Sequence, residues 1–290
     1  MRTQTNDAAP PGRPASRTAA QSQEQPRSHL TRRQQVVFAA ALLSYLAVVV
    51  GVLANSWLVD LDWAAMLAKP YKRWPQPLPF LNIWIVVGQR GPSAIAACAW
   101  LIWRSHRTRS TRPLLMMGAA LLLLNLTVGA VKIVTGRLGP HYAHYIGSPE
   151  LFAGGQIFPS GHTTNSVVTW GVIAYLAVRM RRTGAVLAGV TAASIGLTTV
   201  YLGTHWVTDV VAAWAAGLLV LLALPLLEPA VAAADQRIKA LWQRGRGGPP
   251  APDWSPWDEA VQDELGGVPV PRDRAAGRPE QSPGRSGAPA

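Results

Sequence analysis

The sequence predicts an all-α, polytopic membrane bundle of about six transmembrane helices, with the N- and C-termini cytoplasmic. Three observations lead there. Charged residues make up 14% of the 290-residue chain against a hydrophobic share of 49%, where a soluble domain carries about a quarter charged residues. The charges gather at the two ends and in short loops, leaving long uncharged runs between them. The basic residues bordering those runs fall on alternate sides, as the positive-inside rule requires.

A bilayer core asks for about 20 apolar residues of helix. Six stretches approach this: 36–57, 81–103, 114–134, 163–180, 184–203 and 206–227. The second is interrupted by Gln89, Arg90, Gly91 and Pro92. Residues 1–35 are polar and rich in Arg, unlike a signal peptide, and predict a disordered basic tail before a retained first span. Residues 228–290 predict a cytoplasmic tail. It begins with a short amphipathic helix over 229–244 and becomes a disordered stretch rich in Pro, Gly and Arg from Gly245 onward.

Orientation follows from Lys and Arg. The N-terminal tail, the loop with Arg104, Arg107, Arg109 and Arg112, the loop with Arg179, Arg181 and Arg182, and the tail with Arg237, Lys239, Arg244 and Arg246 all share one side if there are six spans. The loops around 58–80, 135–162 and 203–206 then face outward, with Asp60 and Asp62 offsetting Lys69, Lys72 and Arg73. The formal net charge of +12 flanks apolar spans, so it predicts attraction to anionic membrane lipids. No nucleic-acid-binding pattern is present, and nucleic acid is not expected as a partner. Cys98, the single cysteine, lies in an apolar run and predicts a small buried residue.

Three polar clusters fall on the predicted outer side. The first runs from Lys132 through Gly136, Arg137 and Gly139 to Pro140. The second is Pro159-Ser160-Gly161-His162, and the third runs from Tyr201 through His205 to Asp209. Each suits phosphate chemistry. Lys132 and Arg137 can neutralise phosphoryl oxygens, Arg through a forked pair of hydrogen bonds. Ser160 and Gly161 stand at a helix start, where unpaired backbone N–H groups attract an anion. His205 and Asp209 are four apart and share a helical face. The carboxylate there can fix the imidazole tautomer, making His205 a candidate nucleophile, with His162 as proton donor to the leaving oxygen. Structural alternatives stand beside these roles. Lys132 can anchor a span end at the interface, and His205 with Asp209 can be a polar pair joining helices. No Cys/His/carboxylate cluster has metal-ligand spacing, so neither metal nor cofactor is expected.

At these residues the sequence resembles the type 2 phosphatidic acid phosphatase family. That family carries a Lys…Arg-Pro element, a Pro-Ser-Gly-His element and a Ser-Arg…His…Asp element. Pro159 to His162 match the second in full. His205 and Asp209 match the third, and Lys132 and Pro140 match the first. The resemblance covers roughly residues 36–227, read as a six-span phosphatase-like domain. It implies a metal-independent mechanism in which His205 forms a phosphohistidine and His162 protonates the leaving group. Lys132, Ser160 and Gly161 would hold the phosphoryl oxygens. The implied substrate is a lipid phosphate or polyprenyl diphosphate, met at the outer face of the cell membrane.

Two positions depart from the pattern: Gly139 stands where Arg precedes the proline, and Thr198-Thr199 stands for Ser-Arg. Arg137, two residues earlier, and Arg90, inside a predicted span, are the expected substitutes as phosphate-binding residues, with His141 and His144 nearby. Arg90 can equally sit at the outer interface as the start of a late span. The expected activity is a lipid phosphatase. The alternative is a non-catalytic lipid-phosphate-binding relative that lost turnover with its clamp arginines.

Overall fold

A computed structural model describes residues 30–177 and 180–244. Residues 1–29 and 245–290, which make up most of the expected basic tails, and Arg179 in the loop before the fifth predicted span lie outside the described residues. Among the described residues there are helices and short turns but no strand.

Helix α1 (Arg32–Leu53) begins at a capping box, in which the Thr31 hydroxyl accepts from the Gln34 N–H and the Gln34 side chain accepts from the Thr31 N–H. Two short helices follow, α2 (Trp57–Leu67) and α3 (Pro70–Arg73). The second predicted span is broken. It consists of α4 (Leu78–Trp84), a 3-10 turn at Ile85–Gly88, and α5 (Arg90–Thr108), with a 56° bend between Leu78–Gly88 and Arg90–Thr108. Pro92 lacks an N–H but falls in the first turn of α5, where no intrahelical acceptor is available anyway. The interruption seen in the sequence is therefore a helix start.

The remaining helices are α6 (Arg112–Thr135), α7 (Gly161–Leu176), α8 (Arg181–Tyr201) and α9 (Val207–Arg244). By length and apolarity α1, α6, α8 and α9 suffice to cross a membrane, which makes four spans, or up to five if the bent pair crosses as one. The protein is thus a multi-pass membrane protein. The fourth predicted span, α7, has 16 residues, short of the roughly 20 a straight crossing needs.

Instead α7 forms the centre of the bundle, packed on α5, α6, α8 and α9. Val168 and Val172 are fully buried in one cluster with Leu101, Leu124 and Leu224. Its polar face is buried too. The Asn165 amide donates to the Gly88 carbonyl and the Ser93 hydroxyl, and the Trp170 indole donates to Val87, so α7 holds the bend in place. Gly217 of α9 lets α7 approach closely, since a Cβ there would lie 2.6 Å from Val167.

Helix α9 does not end near Leu227. It runs through Pro225 and Pro229 for 38 residues, so the amphipathic helix expected over 229–244 is its continuation. Prolines are tolerated in a membrane helix when neighbours hold it. Here Asp235 ties the far end of α9 to the loop before α6, accepting from the Thr111 N–H (2.8 Å), the Thr111 hydroxyl (2.6 Å) and the Ser110 hydroxyl (3.2 Å).

Candidate active site

The three polar clusters meet at one end of the bundle. Helix α6 delivers Lys132 in its last turn before Gly136, whose φ of +51° closes the helix in the left-handed conformation that glycine favours. The chain then loops to Ser160, which caps α7. Its hydroxyl accepts from the Thr163 hydroxyl at 3.0 Å, and its own N–H donates to the Asp209 carbonyl at 3.0 Å. The N–H groups of Gly161 and His162, first in α7, have no intrahelical acceptor and suit an anion.

Helix α8 ends at Tyr201, and a tight turn leads to α9. Thr199 organises that turn, its carbonyl accepting from the N–H groups of Thr204 (3.0 Å) and His205 (3.3 Å). His205 Nδ1 then lies 3.2 Å from Asp209 Oδ2, which also accepts the Trp206 N–H at 3.1 Å. The His162 and His205 rings stand edge to face with centroids 6.2 Å apart. Lys132 Nζ donates to the carbonyls of Gln156 (2.7 Å) and Ile157 (3.3 Å), beside Gly161. It feels the opposite charge of Asp209 and the like charge of Arg90. Lys132, Ser160, Gly161, His162, His205 and Asp209 are therefore one constellation.

Arg137 stands apart from the role expected of it. Its side chain is fully buried. Nη2 pairs with Asp62 at 2.7 Å, Nη1 with Asp209 at 2.8 Å and with the Thr208 hydroxyl at 2.7 Å, and Nε donates to the Pro149 carbonyl. The aromatic rings of Phe158 and Trp206 lie alongside the guanidinium. An arginine so enclosed between two carboxylates presents its charge to them, not to an incoming phosphate, which corrects its expected place among the phosphate ligands. The backbone around it is equally fixed, since a Cβ at Gly155 would fall 2.1 Å from the Arg137 carbonyl.

The other proposed substitutes differ. Arg90 is exposed at the start of α5, and among the described residues no carboxylate pairs with it. His141 lies 3.3 Å from the Leu202 carbonyl, and His144 lies beside Glu150 at 3.5 Å. The positions that lack the family arginines are closed. A Cβ at Gly139 would meet Ile157 at 3.2 Å, and the Thr199 hydroxyl turns back to the Gly196 carbonyl.

Asp62 and Thr208 were not singled out in the sequence. Asp62, in α2, accepts from Arg137, from the Thr208 N–H (2.9 Å) and from the Thr208 hydroxyl (2.6 Å). Burial pushes its carboxyl up from the ordinary aspartate range, while the Arg137 guanidinium and the two Thr208 donors pull it back. The one available signal was Arg137 itself, a cation in the loop after α6 that had to find counter-charges on burial. Among the described residues no three His, Cys, Asp or Glu side chains gather as a metal site.

Fold and site together define a multi-pass helical membrane protein with a His–Asp pair facing a second histidine beside a lysine and a helix start. Residues 113–231 match the PAP2 superfamily, the segment from α6 into α9 that holds all three clusters. A 90-residue stretch is 36% identical to phosphatidylglycerophosphatase B of Bacillus subtilis strain 168, covering 29% of this chain and 42% of that protein, so the match spans less than half of the relative. The chain is also similar to the crystal structure of a transmembrane PAP2-type phosphatidylglycerolphosphate phosphatase from Bacillus subtilis. That similarity has 22% identity and a TM-score of 0.49, over 72% of this chain and 98% of that one.

Proposed function

We propose that this protein is a metal-independent membrane phosphatase that hydrolyses a lipid phosphate or diphosphate at the extracytoplasmic face through a phosphohistidine. The observation that carries the reading is the His205–Asp209 pair set against His162, beside Lys132 and the start of α7. Asp209 holds the proton on Nδ1 of His205, which leaves Nε2 as the nucleophile. Nε2 forms a bond to phosphorus as the bond to the lipid oxygen breaks, and His162 gives its proton to that oxygen. His162 then takes a proton from water, which attacks phosphorus, frees phosphate and returns His205. Lys132 and the N–H groups of Gly161 and His162, with the Ser160 hydroxyl, stabilise the phosphoryl oxygens.

The proposed topology has six crossings, counting the bent pair and α7 as one each, with both termini cytoplasmic. The alternation of basic loops supports it, and so does the gathering of all three clusters at one end of the bundle. The substrate class is a phosphorylated lipid of the phosphatidylglycerophosphate kind, supported by the name of the relative. A polyprenyl diphosphate has the same recognisable chemistry.

The test is phosphate release by detergent-purified protein, with EDTA present, over a panel of lipid phosphates and diphosphates, comparing wild type with His205→Ala. Release by wild type and none by the variant is expected. The enclosed Gly139 and Thr199 favour a second reading, a lipid-phosphate binder without turnover. Folded protein that binds these lipids but releases nothing would establish that reading instead.

A further inference from the structure

We propose that Asp62, which lies outside the segment matched to the superfamily, is a positioning residue of this site. Through Arg137 it orients Asp209 and helps set the charge that His205 feels. The catalytic half of this inference rests on the phosphatase reading above. The electrostatic half stands without it.

Asp62 sits in the middle of α2, an eleven-residue helix that is too short to span a membrane. Its side chain is fully buried, as are those of Arg137 and Asp209, and His205 is nearly so. From it runs an unbroken line of bonds: Asp62 to Arg137 Nη2 at 2.7 Å, Arg137 Nη1 to Asp209 at 2.8 Å, and Asp209 to His205 Nδ1 at 3.2 Å. Thr208 braces the line, its hydroxyl accepting from Arg137 and donating to Asp62. The two oxygens of Asp209 divide their partners. Oδ1 accepts from Arg137, while Oδ2 faces His205 and accepts the Trp206 N–H.

Anchoring α2 does not require a buried charge. Trp63, next in sequence, already docks the helix by packing on Trp206 at 5.1 Å and donating to the Ser148 carbonyl at 2.8 Å. Burying a carboxylate is costly unless a cation meets it. What Asp62 adds is a share in the charge of Arg137. With one guanidinium between two carboxylates, Asp209 remains a net anion toward His205. Without Asp62, Arg137 would neutralise Asp209 alone. Among the described residues, the other charged or titratable groups facing this region are Lys132 from α6 and His162 from α7, with Arg90 from α5 acting on Lys132. Both lysine and arginine are cations, so Asp62 holds the balance that lets His205 carry positive charge.

The experiment is histidine titration by 15N NMR on isotope-labelled, detergent-solubilised full-length protein, beside steady-state kinetics over a pH series. Asp62→Asn removes the charge but keeps the size. The expected results are a His205 pKa lowered by about one unit and kcat lowered about ten- to hundred-fold with KM changed little. The acid limb of kcat/KM should move to lower pH. Asp62→Glu, which keeps the charge, should return the titration to the wild-type position and restore part of the turnover. Thr208→Val, which keeps both charges but breaks the brace, should leave the His205 pKa in place while kcat falls.

A shift in melting temperature alone, with neither His205 titration nor kcat altered in Asp62→Asn, would reduce Asp62 to an anchor for α2 and overturn the proposal. So would Asp62→Glu behaving like Asp62→Asn. If Asp62→Asn fails to fold, unchanged kcat in Thr208→Val has the same consequence. Wild-type protein without turnover would remove the phosphatase reading, while the histidine titration would still decide the coupling.

Discussion

The two ends of the bundle use the same device for different purposes. At the far end, Asp235 collects Thr111, Ser110 and Lys239 and ties the long α9 to the loop before α6. At the site end, Asp62 and Asp209 collect Arg137 and Thr208, and the line continues to a histidine. Both carboxylates that end these networks are buried and met by several donors, which is the condition for keeping a charge in a protein interior. Asp235 meets no histidine, so its network holds two segments together. Asp209 meets His205, so in the proposed mechanism its network presents the nucleophile. Location in the fold, more than the type of bond, separates a fastener from a site.

The largest expected effect breaks the site end. Asp209→Asn keeps the shape of the network but offers His205 an amide in place of a carboxylate, favouring the wrong tautomer. Turnover of the best lipid phosphate should fall about 10³- to 10⁴-fold, measured as phosphate release, with KM little altered. A loss below tenfold would mean that His205 does not depend on Asp209.

Next comes the lysine. Lys132→Met keeps the apolar stem and removes the ammonium beside Gly161. Loss of one stabilising donor to a developing anion should lower kcat by about 10²- to 10³-fold. Because Lys132 also holds the loop carbonyls of Gln156 and Ile157, the melting temperature should be followed in parallel. A fall in stability with full turnover would make it an anchor.

At the opposite end the sign of the comparison reverses. Asp235→Ala should destabilise the folded protein by about 1–3 kcal/mol, since it leaves the buried Ser110 hydroxyl and the half-buried donors of Thr111 without their acceptor. Turnover per folded molecule should not change. Thermal unfolding in detergent, paired with activity, separates the two ends: Asp209→Asn loses rate, Asp235→Ala loses stability.

What the sequence showed and what it hid follow the same division. Groups close in sequence were legible: the four-residue spacing of His205 and Asp209, the capping Ser160, and the interruption of the second span around Gln89 to Pro92. The charge pattern also indicated that the three clusters share an end, and they do touch. The partners of Arg137 were not legible, because Asp62 is 75 positions away and reads as an ordinary loop acid. Arg137 looked like a phosphate ligand for the same reason: an arginine near a site has the right charge, and only packing tells whether carboxylates have taken it. The length of α9 was hidden as well. Its prolines signal a break, but the bonds from Asp235 to Thr111 and Ser110 override them.

Arg90 gives the smallest expected effect and the sharpest use of the comparison. Unlike Arg137, it has no carboxylate partner among the described residues, and it is exposed at the start of α5, where it repels Lys132. Asp209 offsets part of the charge on Lys132, but two like charges held near each other are unfavourable, and a phosphate placed there would relieve the repulsion. Solvent screens an exposed guanidinium, so its contribution is modest. Arg90→Ala should raise KM about three- to tenfold, an effect on the order of 1 kcal/mol, with kcat nearly unchanged. Added salt should shrink the difference between variant and wild type. Arg90→Lys, which keeps the charge, should lie between them. Equal KM values for Arg90→Ala and wild type at low salt would show that Arg90 is an interfacial residue. The site would then bind its phosphate with Lys132 and the start of α7 alone.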